Sequence, residues 1–155
     1  MTEPAPPSVH AVAVIAREVG VLIRGRSGAG KSRLAEEIVA AAAARGWFGR
    51  LVADDRVRLA VRGDRVILSP HPRIAGLVER RGQGVFPVAH EGTAVLRLVI
   101  DLVDRDGDLA DAPRYPTKDE SRARIEGVPV PRLAIFIGDE GAASTAIRRI
   151  ADFGA

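Results

Sequence analysis

The sequence contains no cysteine and very few aromatic residues, and each shortage excludes a class of protein. Without cysteine there is no disulfide framework, no thiolate nucleophile and no cysteine-ligated metal site. Aromatic residues make up 4% of the chain although 46% of it is hydrophobic, so the core must be built mainly from Ala, Val, Leu and Ile. With 155 residues, such a core fits a single domain.

Long apolar runs and strong charge are missing as well. No apolar run is long enough to cross a membrane as a helix, and residues 1–8 lack the basic and apolar regions of a signal peptide. The formal net charge is only +3, and Lys and Arg are not interleaved with aromatic residues as in nucleic-acid-binding segments. We therefore expect a cytoplasmic protein that binds neither a membrane nor nucleic acid.

A phosphate-binding motif is the strongest signal in the sequence. Residues 25–32 match G-x-x-x-x-G-K-[ST] at every fixed position, after the apolar residues 21–23 and before a helical pattern that starts at Leu34. In such a strand–loop–helix unit, the loop N–H groups and the helix N-terminus converge on an anion. Lys31 is expected at the β- and γ-phosphates of a nucleotide, and the Ser32 hydroxyl at Mg²⁺. The residues expected to bind the nucleotide are Gly25, Arg26, Ser27, Gly28, Ala29, Gly30, Lys31 and Ser32.

Two adjacent carboxylates form the second signal. Asp54 and Asp55 follow the apolar residues 51–53, and an acid at a strand end downstream of a phosphate loop is typical of a Mg²⁺ site. Neighbouring side chains of a strand point to opposite faces, so both acids can serve one site only if the chain leaves strand geometry here. One would then contact the metal and the other would accept the proton of an acceptor hydroxyl. Alternatively, one of them is a turn residue or a salt-bridge partner.

Three further features are ambiguous when taken alone. Glu79 and Arg81 belong to a charged cluster, which is either a solvated surface or, beside a nucleotide, a set that neutralises a moving phosphoryl group. His10 by itself is expected to be a structural or surface histidine. The polar segment 104–121 is too long for a simple connection and is a candidate functional loop.

The patterning predicts an α/β fold with a mixed sheet, hairpins and flanking helices. Residues 10–15 and 21–23 form one predicted hairpin, and residues 56–61 and 66–68 another. Residues 94–103 are the expected central strand. An exposed turn is expected at residues 125–131, followed by a last strand at residues 133–137 and a final helix at residues 142–153. Trp47 and Phe48 are expected to fill the core. Residues 1–8, with three prolines, are predicted to be disordered, and residues 9–155 to form a single P-loop catalytic domain.

Five stretches, in this order, resemble the C-terminal catalytic domain of HPr kinase/phosphorylase. They are residues 8–11, 25–32, 51–57, 77–84 and 128–133, and the resemblance as a whole covers about residues 8–138. Many families share the phosphate loop, but its combination with a preceding His, the Ala-Asp-Asp sequence and the Glu-x-Arg-Gly-x-Gly signature is much more specific. The sequence is most similar to the short, single-domain members found in alphaproteobacteria.

The resemblance implies a P-loop kinase-like fold and a specific reaction. The family uses ATP and Mg²⁺ to phosphorylate a serine of HPr, the carrier protein of the sugar phosphotransferase system. It also removes that phosphate by phosphorolysis with inorganic phosphate, which yields pyrophosphate, and it assembles as a hexamer. Carried over by position, the catalytic residues would be Asp54 as general base, His10 beside it, Arg81 of the signature and Arg114 of the loop after the strong strand. The metal would be surrounded by Ser32, Asp55 and Glu79.

The sequence also departs from the family pattern. Arg33 stands where longer members usually have an acid, and residues 85–90 are atypical. In this second segment we expect contacts with the protein substrate or a neighbouring subunit. The regulatory domain of longer members is not in the sequence, so their allosteric control is expected to be absent. Two other functions remain open: a P-loop kinase of a small metabolite, and a nucleotide-sensing regulatory module.

Overall fold

The structure, a computed structural model, describes residues 7–80, 82–105 and 121–153, with only the backbone of residues 79 and 80. Its helices are α1 (Lys31–Ala44) and α2 (Ala142–Ala151), and a 3₁₀ turn spans Pro72–Ile74. The strands are β1 (Ser8–Val9), β2 (Val12–Ala16), β3 (Val19–Arg24), β4 (Gly49–Ala53), β5 (Val57–Arg62), β6 (Arg65–Pro70), β7 (Leu77–Arg80), β8 (Gly84–Pro87), β9 (Ala94–Val103), β10 (Arg122–Ile125) and β11 (Val128–Phe136).

A mixed sheet organises the described residues. Its main path runs β1-β5-β6-β9-β3-β2-β4, with β11 beside the last part of β9 and β10 beside β11. Strands β3, β9 and β11 are parallel to one another, and the remaining pairs of this sheet are antiparallel. The predicted central strand is confirmed over its full length, as are the hairpins β2–β3 and β5–β6. The predicted α/β class with a mixed sheet and flanking helices is therefore confirmed.

Aliphatic side chains form a core on each face of the sheet, as the composition requires. Both helices lie on one face, where Ile38 of α1 and Ile147 and Ile150 of α2 are fully buried against β3 and β9. On the other face, β5, β6, β10 and β11 bury a second aliphatic cluster around Leu22, Leu68 and Val99. Neither described helix has the length and apolarity that a membrane crossing requires.

The predicted exposed turn at residues 125–131 is wrong. These residues belong to the hairpin of β10 and β11, whose turn contains only Glu126 and Gly127, both with positive φ (51° and 81°). Two prolines suggested the turn. They are tolerated because that part of β11 pairs only with β10, and its edge needs no further N–H donors.

The predicted core role of the aromatic pair after α1 holds only in part. Trp47 packs partly against the helix-side core, whereas Phe48 is 45% exposed. The Arg50 guanidinium lies 4.8 Å from the Phe48 ring centroid and covers part of the ring.

The described part of the N-terminal segment pairs with β5. Ser8 pairs with Arg58, and the Pro7 carbonyl accepts a hydrogen bond from Leu59 N–H. Residues 1–6 of the segment predicted to be disordered lie outside the described part.

Candidate active site

The phosphate loop lies between β3 and α1, at the carboxyl end of a parallel strand. Gly28 and Gly30 have φ of 81° and 96°, the left-handed region that a residue without Cβ adopts most easily. The Lys31 side chain folds back across the loop, and its Nζ donates to the carbonyls of Gly25 (2.9 Å) and Arg26 (3.0 Å). The buried Lys31 ammonium is therefore fixed within the loop that would hold an anion.

Asp54 joins the end of β4 to the end of the phosphate loop. It follows the last residue of β4, is only 6% exposed, and its Oδ1 accepts a hydrogen bond of 2.6 Å from Ser32 Oγ. This contact spans 22 residues of sequence and lies at the N-terminus of α1. The two residues that the motif and the strand end predicted to share a site are thus in direct contact.

The backbone of Asp55 departs from strand geometry, and its side chain has a different partner from that of Asp54. Its φ is 71°, which is uncommon for a residue with a side chain. Its Oδ1 lies 2.5 Å from His10 Nε2, and its carbonyl accepts a 3.3 Å hydrogen bond from Ala11 N–H. Leaving strand geometry was the condition for both acids to serve one site, and the chain meets it. The same geometry also makes Asp55 a turn residue that pairs with His10.

The signature segment lies beside this site. Glu79 sits in β7 opposite Val85 of β8, in a hairpin of its own. Val78, directly before it, is 3% exposed and lines the same cavity as Ser32 and Asp54. The backbone of Glu79 therefore directly follows a residue that lines this cavity. The side chain of Glu79, the whole of Arg81, and Arg114 with residues 106–120 lie outside the described part.

The donor set at Ser32 suits a magnesium ion. Mg²⁺ prefers oxygen ligands and is usually held by one or two carboxylates together with substrate phosphates, and a hydroxyl and a buried carboxylate meet here. Among the residues with described side chains, no group of three or more His, Asp or Glu is placed to hold a metal. The carboxylate in contact with Ser32 is Asp54, whereas the sequence-based hypothesis grouped Ser32 with Asp55.

An ion cluster on the other side of β3 was missed by the sequence analysis. Arg24 holds Asp101 with two hydrogen bonds of 2.7 and 2.8 Å, and Arg132 Nε adds a third at 2.5 Å. Burial alone would raise the pKa of Asp101, but the hydrogen bonds from Arg24 and Arg132 outweigh it and bring that pKa below its ordinary value. The cluster ties together β3, β9 and β11 just before the phosphate loop. The signal available in the sequence was an acid within a mainly apolar strand that also contains Arg97.

These features define a P-loop kinase-like domain: a parallel strand, a glycine loop, a helix and a buried carboxylate against the last loop residue. Residues 5–151 match the family model described as HPr Serine kinase C-terminal domain. The chain belongs to this family, which confirms the resemblance predicted from the sequence.

Relatives of known name agree with this assignment. The HPr kinase/phosphorylase of Limosilactobacillus reuteri is 35% identical over 144 residues, covering 83% of this chain and 40% of the relative. That of Enterococcus faecalis is 34% identical over 138 residues, covering 83% and 41%. The structure of the Hpr(Ser) kinase/phosphatase from Coxiella burnetii matches with a TM-score of 0.73 and 25% identity, over 94% of this chain and 95% of that one. The chain spans about two fifths of the length of the curated relatives it matches.

Proposed function

We propose that this chain transfers the γ-phosphoryl group of ATP to a serine of an HPr-like phosphocarrier protein. We also propose that it removes this phosphate by phosphorolysis. The observation that carries the proposal is the contact of the buried carboxylate of Asp54 with the phosphate-loop residue Ser32, in a member of the HPr serine kinase family. The names of the relatives support the choice of HPr as the substrate class.

The phosphate loop supplies positioning and charge. Phosphoryl transfer needs little covalent chemistry from a protein, because its main demands are alignment and neutralisation of the phosphate oxygens. The loop N–H groups and the N-terminus of α1 would bind the β- and γ-phosphates. Lys31, already held at the loop by two carbonyls, would exchange these for phosphate oxygens. Residues 25–32 thus form the proposed ATP site.

Magnesium would be held at the end of the loop by Ser32, with Asp55 and Glu79 as the proposed carboxylate ligands. The bound ion would neutralise charge on the phosphate oxygens during transfer. Asp55 is set for such a role by its contact with His10, which orients the carboxylate. His10 is accordingly proposed as a positioning residue. Arg81 and Arg114 are proposed, from the family pattern alone, to contact the moving phosphoryl group.

Asp54 is the proposed general base. In the forward direction its carboxylate accepts the proton of the acceptor serine as the serine oxygen bonds to the γ-phosphorus and the bond to ADP breaks. In the reverse direction inorganic phosphate attacks the phosphoserine. The phosphorus–serine bond breaks, pyrophosphate forms, and protonated Asp54 returns its proton to the serine oxygen. One carboxylate at the acceptor side therefore serves both directions.

Labelled ATP distinguishes this proposal from its two alternatives. The protein is incubated with γ-labelled ATP, Mg²⁺ and the HPr of the same organism. We expect label on an HPr serine, and its loss when Asp54→Asn is used. Label on small molecules alone would contradict the proposal and favour a metabolite kinase. Tight ATP binding without any transfer would favour a nucleotide-sensing module.

The setting of this activity is proposed from the family. We expect a cytoplasmic homo-oligomer, and specifically a hexamer, without a nucleic-acid or membrane partner. Light scattering on the purified protein would report six times the 16.5 kDa chain mass if the hexamer forms. A monomer at working concentrations would contradict the hexamer and leave the transfer reaction to be judged by the labelling experiment.

A further inference from the structure

Arginine and aromatic side chains meet at the end of the domain opposite the phosphate loop. The residues that form this arginine–aromatic surface are Arg17, Arg45, Trp47, Phe48, Arg50, Arg149 and Phe153. They include the only tryptophan and two of the four phenylalanines of the chain. Helix α1 has 14 residues, so its last turn, next to this surface, lies about 20 Å from the loop at its first turn. The surface is therefore separate from the proposed active site.

Arg17, in the turn between β2 and β3, lies at the centre of the surface. Its backbone N–H donates to the Phe48 carbonyl at 2.7 Å, and its Nη1 donates to the Phe153 carbonyl at 3.2 Å. Its Cζ lies 5.2 Å from the Trp47 ring centroid, and the Cζ of Arg45 lies at the same distance. The φ of Arg17 is 58°. A residue with a side chain keeps such a conformation where its surroundings impose it, and such residues are enriched at functional sites.

Two further arginines extend the surface on either side of Arg17. The Cζ of Arg50 lies 4.8 Å from the Phe48 ring centroid, and the Cζ of Arg149 lies 4.8 Å from that of Phe153. An aromatic ring holds a guanidinium group by its face, which leaves most of the N–H groups at its edge available. The surface thus presents planar sets of donors, which match the geometry of carboxylates and phosphates.

The guanidinium groups of this surface have no carboxylate partner among the residues that the structure describes. Glu18 and Asp152 are neighbours in the sequence, but neither forms an ion pair in the same described part. Arginines near the phosphate loop differ, because Arg24, Arg26 and Arg33 each pair with an Asp or Glu. Clustered positive charge without counter-charge attracts a partner of opposite sign.

The rings favour an acidic protein over a nucleic acid or a membrane. Rings that bind single-stranded nucleic acid stack on bases, whereas two guanidinium groups already lie against Trp47. A membrane-binding face needs several apolar side chains to enter the lipid. Phe48, which is 45% exposed, is the only exposed large hydrophobic residue of this surface. Trp and Arg are, in contrast, the residue types that dominate the binding energy of protein–protein contacts.

We propose that the arginine–aromatic surface binds a carboxylate-rich segment of another protein. Its guanidinium groups donate hydrogen bonds to Asp and Glu carboxylates of the partner, and Phe48 adds an apolar contact. The inference goes beyond the proposed phosphoryl transfer and does not depend on it, because the surface and the phosphate loop lie at opposite ends of α1.

A fluorescently labelled octaglutamate peptide is a defined acidic probe for this surface. Fluorescence anisotropy measures its dissociation constant from the protein. The double variant Arg45→Glu with Arg50→Glu reverses two exposed charges of the surface and should weaken binding about tenfold or more. The matched control is Arg62→Glu with Arg65→Glu, which changes the net charge equally at two exposed residues of the β5–β6 hairpin. This control should weaken binding less than about threefold.

Trp47 reports where the peptide binds, because it is the only tryptophan. Unlabelled octaglutamate should shift its emission in the unaltered protein. Salt at about 1 M should abolish the shift, since it shortens the Debye length to about 3 Å. The rate of HPr phosphorylation by Arg45→Glu with Arg50→Glu should equal that of the unaltered enzyme. Circular dichroism establishes folding, and Arg50→Glu alone should weaken peptide binding about threefold if the double variant does not fold.

Four results would overturn the proposal. The first is an equal loss of peptide binding in the two double variants, because only net charge would then matter. The second is no binding of octaglutamate to the unaltered protein at physiological salt. The third is tighter binding of a single-stranded oligonucleotide or an anionic phospholipid vesicle through the same arginines. The fourth is a changed assembly mass of Arg45→Glu with Arg50→Glu in light scattering, which would identify a subunit contact. Failure of the unaltered enzyme to phosphorylate HPr would overturn the proposed function alone.

Discussion

Two carboxylates, Asp54 and the partly buried Asp101, lie on opposite sides of the phosphate-loop strand, and their surroundings differ. Asp101 of β9 accepts hydrogen bonds from the guanidinium groups of Arg24 and Arg132. Asp54, after β4, accepts a hydrogen bond from the neutral hydroxyl of Ser32. In the sheet order β9-β3-β2-β4, the strand that enters the loop runs between them. Asp101 is thus held by two cationic side chains, whereas Asp54 lies where we propose that a metal ion and the nucleotide phosphates bind.

This difference separates scaffold from chemistry. Two guanidinium groups favour the ionised form of Asp101 and fix its position. That fixed ion cluster holds three parallel strands in register at the base of the loop. A carboxylate that accepts a proton during the reaction needs a hydrogen-bond partner that can give up its contact. The Ser32 hydroxyl, which would also ligate Mg²⁺, is such a partner for Asp54. The comparison supports the proposal that Asp54 acts in the transfer step, and we propose that Asp101 supports the loop.

The largest effect should come from the loop itself, between the two carboxylates. Lys31→Ala removes the cation held at the loop carbonyls and should lower the rate of HPr phosphorylation on the order of a thousandfold. Arg33→Ala is the matched control, because it removes an exposed cation two residues away whose Nε pairs with Glu37 at 3.0 Å. It should lower the rate less than about tenfold. Equal rates for Lys31→Ala and the unaltered enzyme would remove the loop from the mechanism.

The second-largest effect, a loss of stability in Asp101→Asn, distinguishes Asp101 from Asp54. Asp101→Asn leaves two guanidinium groups without their counter-charge and should lower the free energy of unfolding by about 2 kcal/mol. This is less than for a fully buried pair because the Arg24 side chain is 37% exposed. Urea denaturation measures the loss, and the rate of transfer in the folded protein should change little.

A neighbouring pair supplies the control for Asp101. Asp104 contacts Arg26 at 3.2 Å, with both side chains more than half exposed. Asp104→Asn should leave the urea midpoint unchanged, since exposed pairs contribute little. If Asp101→Asn instead abolished transfer at unchanged stability, the assignment of Asp101 to the scaffold would be wrong.

The smallest effect concerns pH. The pKa of the Asp101 carboxyl is lowered in the folded protein, so below the unfolded value of about 3.9 the unfolded chain binds a proton that the native carboxylate does not. The stabilisation is complete above that value and is lost as the pH falls through the lower folded pKa. The difference in unfolding free energy between the unaltered chain and Asp101→Asn should be constant above about pH 5 and narrow below about pH 4. A difference independent of pH throughout this range would contradict the charged cluster.

Local motifs carried most of what could be predicted from the sequence. The phosphate loop, α1 and β9 follow from glycine positions and apolar periodicity, which depend only on near neighbours. Gly46, which follows α1, has the positive φ (76°) that favours a glycine at a helix end. If both adjacent acids serve one site, the chain must leave strand geometry there, and the φ of 71° at Asp55 is compatible with this condition.

Features that depend on distant pairing could not be predicted in the same way. The contact of Arg24 with Asp101 exists because β3 and β9 pair in a register that places these two residues opposite each other. Arg132 joins them from β11, 31 residues beyond Asp101. No local pattern encodes such a register. The prolines of β11 misled the prediction for the same reason, since their cost depends on whether a second strand lies beside them.

The most direct test of the account measures both directions of the reaction in Asp54→Asn. Phosphoryl transfer from ATP to HPr and pyrophosphate formation from seryl-phosphorylated HPr should both fall about a hundredfold or more, because one carboxylate moves the proton each way. The dissociation constant for Mg·ATP should stay close to that of the unaltered enzyme. Asp54→Asn with unchanged rates, or with only one direction impaired, would contradict the assignment of Asp54 as the base.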